Sequence, residues 1–193
     1  VDALRMYILF MGPPELDCEW QDTGLEGIKR FLNRLWIFLT DEKNILPEGQ
    51  KEDPKVTKRL HVYLKDFQDR IDYFKPNTAI SAMMEWLNDV SANNMKLSKD
   101  TVEKVLVTLS TMAPQIASEL LEKILGKNLA DCIWSQYDSQ LLIEENSTIV
   151  IQVNGKLRGN ITVPIGLAQE KIQEQAEMII DKWLKDKDII KIV

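Results

Sequence analysis

Apolar residues recur at three- and four-residue steps from Asp2 to Ile124, and beyond Thr148 the spacing changes to alternation. The first pattern predicts helices with one buried stripe each, and the second predicts strands. Asp2–Met11 reads as a helix with Leu4, Ile8 and Met11 as core positions, stopped by Gly12-Pro13-Pro14. A polar connector runs to about Gln21, and its Trp20 is suited to pin the loop onto a core. Thr23–Glu42 is the next helix, with Ile28, Phe31, Leu32, Leu35, Trp36 and Leu39 on one stripe. After a polar loop over Leu46–Asp53, Pro54 opens a third helix. Its stripe is Val56, Leu60, Leu64, Phe67, Ile71 and Phe74. Pro76 is expected to end that helix and Asn77 to cap a fourth, whose stripe is Ile80, Met83, Met84, Leu87 and Val90. Ser98 is an N-cap with Asp100 in the first turn, where unpaired N–H groups and the helix dipole favour an acid. Val102, Val105, Leu106, Leu109 and Met112 follow, Pro114 interrupts or kinks, and Ile116 to Ile124 continue until Gly126. These stripes are too broad for a two-position coiled-coil seam, so a globular bundle of four or five long helices is expected.

Leu129–Gln140 is a short connector holding Trp134 and Tyr137, either a lid on the bundle base or an exposed aromatic surface. A boundary near Leu141–Ser147 divides the chain into a bundle, 1–143, and a small α+β domain, 144–193. In the latter, Ile149, Ile151 and Val153 share one face, and Leu157, Ile161 and Val163 share a face of a second strand. Asn154-Gly155 alone favours a two-residue turn that pairs Val153 with Lys156. Matching apolar faces instead favours a three-residue turn that pairs Val153 with Leu157 and Ile149 with Ile161. The second register is preferred, and it sets Arg158 opposite Gln152 on the outer face with Lys156 at the tip. Pro164 ends the strand, and Leu167 to about Leu184 forms a helix with Ile172, Ala176, Ile179, Ile180 and Trp183 inward. Ile189–Val193 completes a β-β-α-β unit whose core is thin, so a fourth strand is expected to be missing. The fold class is mainly α, a bundle followed by a small α+β domain.

Composition narrows the chemistry. The two cysteines, Cys18 and Cys132, fit no metal-ligand spacing and read as idle thiols in a reducing compartment. One histidine argues against a His-based zinc site or triad. No uncharged apolar run is long enough to span a membrane, and the first residues lack signal-peptide character. Both ends read as cuts from something longer. No GxxxxGK[ST] or GxGxxG loop occurs, and pairs such as Glu119/Glu122 and Asp66/Asp69 read as solvated helix faces. The net charge of −6 is uneven: residues 148–193 carry +1 and the first 147 carry −7. Any RNA contact is therefore expected to be local.

Five segments carry a family resemblance: DALRMYILFMGP at Asp2–Pro13, GIKRFLNRLW at Gly27–Trp36, NTAISAMMEWLN at Asn77–Asn88, TMAPQIASELLEKI at Thr111–Ile124 and IQVNGKLRG at Ile151–Gly159. In this order the chain resembles the C-terminal end of a bacterial-type leucyl-tRNA synthetase, a class I aminoacyl-tRNA synthetase. The resemblance implies an anticodon-binding-type helical bundle followed by most of a small tRNA-contacting domain. It implies no catalysis by this segment, because the HIGH and KMSKS motifs and the editing domain are not in it. The parent would join leucine to tRNA-Leu, using ATP and Mg²⁺ in a catalytic domain of the same chain. The segment departs from the family at Gln115 and Leu121, where His and Trp are frequent, and it lacks the family's final YVPGKLLNLV-like strand.

Candidate tRNA contacts are Lys156 and Arg158, whose long cationic side chains reach phosphates or sugars, with Asn154 in the turn. Lys182, Lys185, Lys187 and Lys191 would extend a weak patch, although Asp181, Asp186 and Asp188 alternate with them. Arg30 and Arg34 share a helix row and would face a tRNA stem or the catalytic domain. The resemblance implies no cofactor or metal in this segment; no membrane contact, a monomer and, by default, a cytoplasmic location are expected. The alternative is a non-catalytic protein-interaction scaffold.

Overall fold

The computed structural model describes residues 1–13, 15–142, 146–164 and 166–184. The expected strand Ile189–Val193 and the lysines at 185, 187 and 191 lie outside the described residues, as does Pro14. Two compact units are present, Val1–Leu142 and Ile143–Val193.

The first unit is a bundle of α1 (Asp2–Phe10), α2 (Asp22–Thr40), α3 (Pro54–Asp72), α4 (Pro76–Ala92), α5 (Lys99–Ser110) and α6 (Pro114–Leu125). The longest packing seams run between α3 and α4 and between α5 and α6, with α1 laid across α2 and α4. Ile28, Leu39, Leu60, Phe67, Ile80, Leu87, Leu106 and Leu120 are all but sealed from solvent at its centre. Burial of each such side chain stabilises the fold by about 1.5–3 kcal/mol. Asp53 caps α3 by accepting the Lys55 N–H at 2.8 Å, and Ser98 caps α5 as its sequence position requires. Glu52 fastens the two starts together, accepting the Ser98 N–H at 2.7 Å and the Thr101 hydroxyl at 2.9 Å.

Three expectations change. Pro76 does not end α3 but starts α4, as Pro54 and Pro114 start α3 and α6, because a first-turn residue needs no N–H partner. The helix before it stops at Asp72, and Phe74 follows in the left-handed region with φ 53°. That turn swings Phe74 off the stripe, and it is 68% exposed. In α1 the buried face is Asp2, Met6 and Tyr7, while Leu4 and Ile8 face out. The helix is apolar nearly all round, so spacing could not choose its face. Polar tethers choose it instead. The Asp2 carboxylate accepts the Ile116 N–H at the start of α6, 2.8 Å away, and the Tyr7 hydroxyl accepts the Gln21 N–H at 2.7 Å. Trp20 sets its ring edge-on to Tyr7 with centroids 4.7 Å apart, pinning the connector as expected.

The connector after α6 lies against α3. Trp134 donates from Nε1 to Gln68 and tilts toward Phe67, and the Asp138 N–H donates to Nδ1 of buried His61 at 2.8 Å. Ile133 nevertheless points to solvent, so the segment is both lid and partly exposed surface.

The second unit contains β1 (Asn146–Val153), β2 (Lys156–Pro164) and α7 (Gln169–Leu184), with the strands antiparallel. Ile151, Ile161, Val163 and Ile180 are its core, flanked by Ile149, Val153, Ile172, Ala176 and Trp183. Ile179 is 44% exposed rather than inward. Its methyl group nonetheless lies where a Cβ on Gly159 would come within 3.0 Å, so Gly159 permits the close approach of α7 to β2.

The preferred hairpin register fails at the tip and holds at the base. Val153 pairs with Lys156 across a two-residue turn, and Gln152 pairs with Leu157. Asn154 and Gly155 both have positive φ, 53° and 72°, the geometry that matches the twist of the strands. Ile151 then pairs with Gly159, which leaves Arg158 as the extra residue of a bulge. The bulge restores the apolar match, so Ile149 does pair with Ile161. Leu157 pays for this by facing solvent at 67% exposure instead of joining Ile161 and Val163.

Candidate nucleic-acid interface

The hairpin places the sequence-predicted cations differently from one another. Lys156 is exposed directly after the turn, where the backbone of Asn154 and Gly155 reverses the chain. Arg158 does not sit opposite Gln152 on the outer face. As the bulged residue it is free of strand pairing and turns toward α7, where its guanidinium carbon lies 5.2 Å from the centre of the Trp183 ring. Lys182 brings its Nζ within 3.9 Å of the same centre. The Arg158 Nε is buried without a hydrogen-bond acceptor. Among the described residues none of Lys156, Arg158 and Lys182 has a carboxylate within ion-pair distance. Asn154, Lys156 and Arg158 thus lie on one hairpin, and Lys182 of α7 shares the Trp183 ring with Arg158.

Arg30 and Arg34 belong to the bundle, exposed on consecutive turns of α2. Arg34 is partly committed, donating from Nη2 to Asn88 Oδ1 on α4 at 2.7 Å, whereas neighbouring Lys29 is paired with Glu26. Such pairing fixes a side chain without neutralising Arg34, since Asn88 carries no charge.

Trp183 is the residue that sequence reasoning assigned only to packing. Its ring does face the small core, yet two cations also lie over it. No spacing rule joins position 158 to position 183, because the bulge that turns Arg158 inward is a tertiary feature.

Elsewhere the polar chemistry is structural. The Tyr63 hydroxyl shares a 2.6 Å hydrogen bond with Thr108 deep in the bundle, and burial raises its pKa far above the ordinary phenol range. Burial likewise lowers His61 and raises Cys132. No group of three or more His, Cys, Asp or Glu among the described residues is placed to hold a metal ion. No helix among them is long and apolar enough to cross a membrane.

Comparison with known proteins gives this geometry its context. The family model described as the anticodon-binding domain of tRNA ligase matches residues 53–174, from the loop before α3 into α7. A leucine–tRNA ligase of Fervidobacterium nodosum is 40% identical over 211 aligned positions, covering 100% of this chain and 26% of that relative. Those of Pseudothermotoga lettingae and Chlorobaculum parvum are 38% and 37% identical, covering 91% and 98% of this chain and 23% and 24% of theirs. The chain spans about a quarter of the length of these curated relatives. Among solved structures, a LeuRS–tRNA–LeuAMS ternary complex of Agrobacterium radiobacter K84 superimposes with a TM-score of 0.75 at 24% identity, covering 98% of this chain and 27% of that one.

Proposed function

The chain belongs to the anticodon-binding domain family of tRNA ligases, on its bacterial leucyl-type branch, and from that premise we propose that it holds and positions tRNA-Leu for charging. The parent protein attaches leucine to tRNA-Leu with ATP and Mg²⁺, in a catalytic body outside this chain. This segment supplies binding rather than chemistry. Lys156 approaches the phosphate–sugar backbone from the hairpin tip, and Arg158 from the bulge beside α7. Asn154 shapes that tip and adds an amide for RNA contact. Arg30 and Arg34 on α2 contribute a second, weaker contact.

The observation that carries this reading is the cationic hairpin, whose Lys156 and Arg158 have no carboxylate partner among the described residues of an acidic chain. Backbone contacts of this kind fix orientation rather than sequence. Binding of labelled tRNA-Leu and a non-cognate tRNA should be measured across a salt series, with the K156A/R158A double variant alongside. The variant should bind tRNA-Leu at least about tenfold more weakly, with a salt slope shallower by about two. Unchanged affinity in a folded variant would remove the hairpin from the interface.

A further inference from the structure

Resting on the tRNA-positioning reading, we propose that Arg158, Lys182 and Trp183 form a phosphate-binding site, in which the Trp183 indole is the positioning residue that aims Arg158 at an RNA phosphodiester. The bulge at Arg158 releases that residue from the strand ladder and turns it to the helix side, where its guanidinium meets the indole at 5.2 Å. Lys182 occupies the same ring at 3.9 Å. An aromatic face attracts a cation through its quadrupole. Unlike a carboxylate, it neither cancels the charge nor occupies the N–H donors. Trp183 therefore fixes Arg158 in place and leaves its charge available.

The Arg158 Nε is withdrawn from solvent without an acceptor, so the terminal Nη atoms are the donors left to a ligand. Their planar fork matches two oxygens of a phosphate. Lys182 adds a second positive charge at the same ring. No carboxylate among the described residues pairs with either one. A packing role for Trp183 explains its contact with the small core but not the two cations on its ring.

The test compares R158A, W183F, W183L and the R158A/W183L double variant in tRNA-Leu binding by the full-length protein that carries this chain. R158A should weaken binding about tenfold and lower the salt slope by about one. W183F keeps an aromatic face and should stay within about twofold of the parent, while W183L should lose about fivefold. R158A/W183L should be no more than about twofold weaker than R158A, since both changes disable one interaction. In nitrogen-resolved proton spectra of the 193-residue chain, the Arg158 Nε–H signal should carry a ring-current shift that W183F retains and W183L abolishes. If the two losses multiply in the double variant, Trp183 is merely structural and the inference is overturned, while the Arg158 contact stands. If R158A itself binds normally, the contact reading falls and the site falls with it. Should W183L unfold the small unit, W183F and K182A carry the test. W183F as weak as R158A, or K182A with an unchanged salt slope, would overturn the site.

Discussion

At the scale of single residues, Phe74 shows what a sequence stripe conceals. It continues the spacing of α3, yet it lies beyond the helix end with φ 53°, mostly exposed. Its N–H bonds to the Ile71 carbonyl and the Lys75 N–H bonds to that of Arg70, a helix stop that glycine usually provides. A bulky residue is strained there. Phe74→Gly should therefore stabilise the bundle, by about 0.5–1 kcal/mol after the extra flexibility of glycine in the unfolded chain is counted. A higher urea midpoint with unchanged slope would show it, and a lower midpoint would mean that the ring contributes packing its exposure conceals. His61 yields a prediction about pH. Burial first, and then the Lys104 charge, hold its pKa below the ordinary 6.5, against opposing pulls from Asp138, Asp100 and Glu52. The folded state thus binds this proton less readily than the unfolded chain. The contribution is fully present above pH 6.5 and is lost as pH falls through 6.5 toward and past the folded value. Protonation at Nδ1 also removes the acceptor for the Asp138 N–H. Between pH 7.5 and 5.5 wild type should lose more stability than His61→Asn, and parallel profiles would refute the assignment. The single histidine was visible in the sequence, but neither its burial nor its partner was, because Asp138 comes from a connector without periodicity.

At the scale of elements, the helices of the bundle were legible wherever polar residues interrupt the apolar ones. The α2 and α4 stripes put Ile28, Leu35, Leu39, Ile80 and Leu87 in the core as their spacing requires. In α1 no such contrast exists, and contacts with residues far along the chain decide the buried face. The decisive one is Asp2, which serves α6 as a cap from another element. Ala113 at the N-cap position has no side-chain acceptor, and the Asp2 carboxylate fills the role at the Ile116 N–H. Asp2→Ala should destabilise the bundle by about 1–2 kcal/mol, in the range of a lost N-cap, and Asp2→Asn by less because its amide oxygen still accepts. Equal stability of Asp2→Ala and wild type in chemical denaturation would rule out the capping role. The hairpin was half legible for a related reason. Alternation required Ile149 opposite Ile161, and Asn-Gly required a two-residue turn. Both demands are met at once, because one bulged residue absorbs the difference. Alternation and turn chemistry each describe only their own end of the ladder, so neither reveals that Arg158 is the residue expelled.

At the scale of the whole chain, charge governs how RNA can be held. Residues 148–193 carry a net +1 while the rest carries −7, so most of the surface repels a phosphate backbone. Attraction must come from local cations, and the small unit carries Lys156 and Arg158 on its hairpin and Lys182 on α7. Three phosphate contacts from the small unit release about three counterions and alone would weaken tRNA binding about thirty- to fortyfold as salt rises from about 50 to 200 mM, and full contacts from Arg30 and Arg34 would raise that loss to at most about five-hundredfold. A broad basic surface with six or more contacts would lose a thousandfold or more over the same interval. The slope of binding against salt therefore separates a small set of hairpin contacts from an extended one. A loss of only about thirty- to fortyfold would leave Arg30 and Arg34 out of the interface, and a loss of about a thousandfold would mean contacts beyond these five residues. Loss below about fivefold would leave too little electrostatic contact for the hairpin to position tRNA at all.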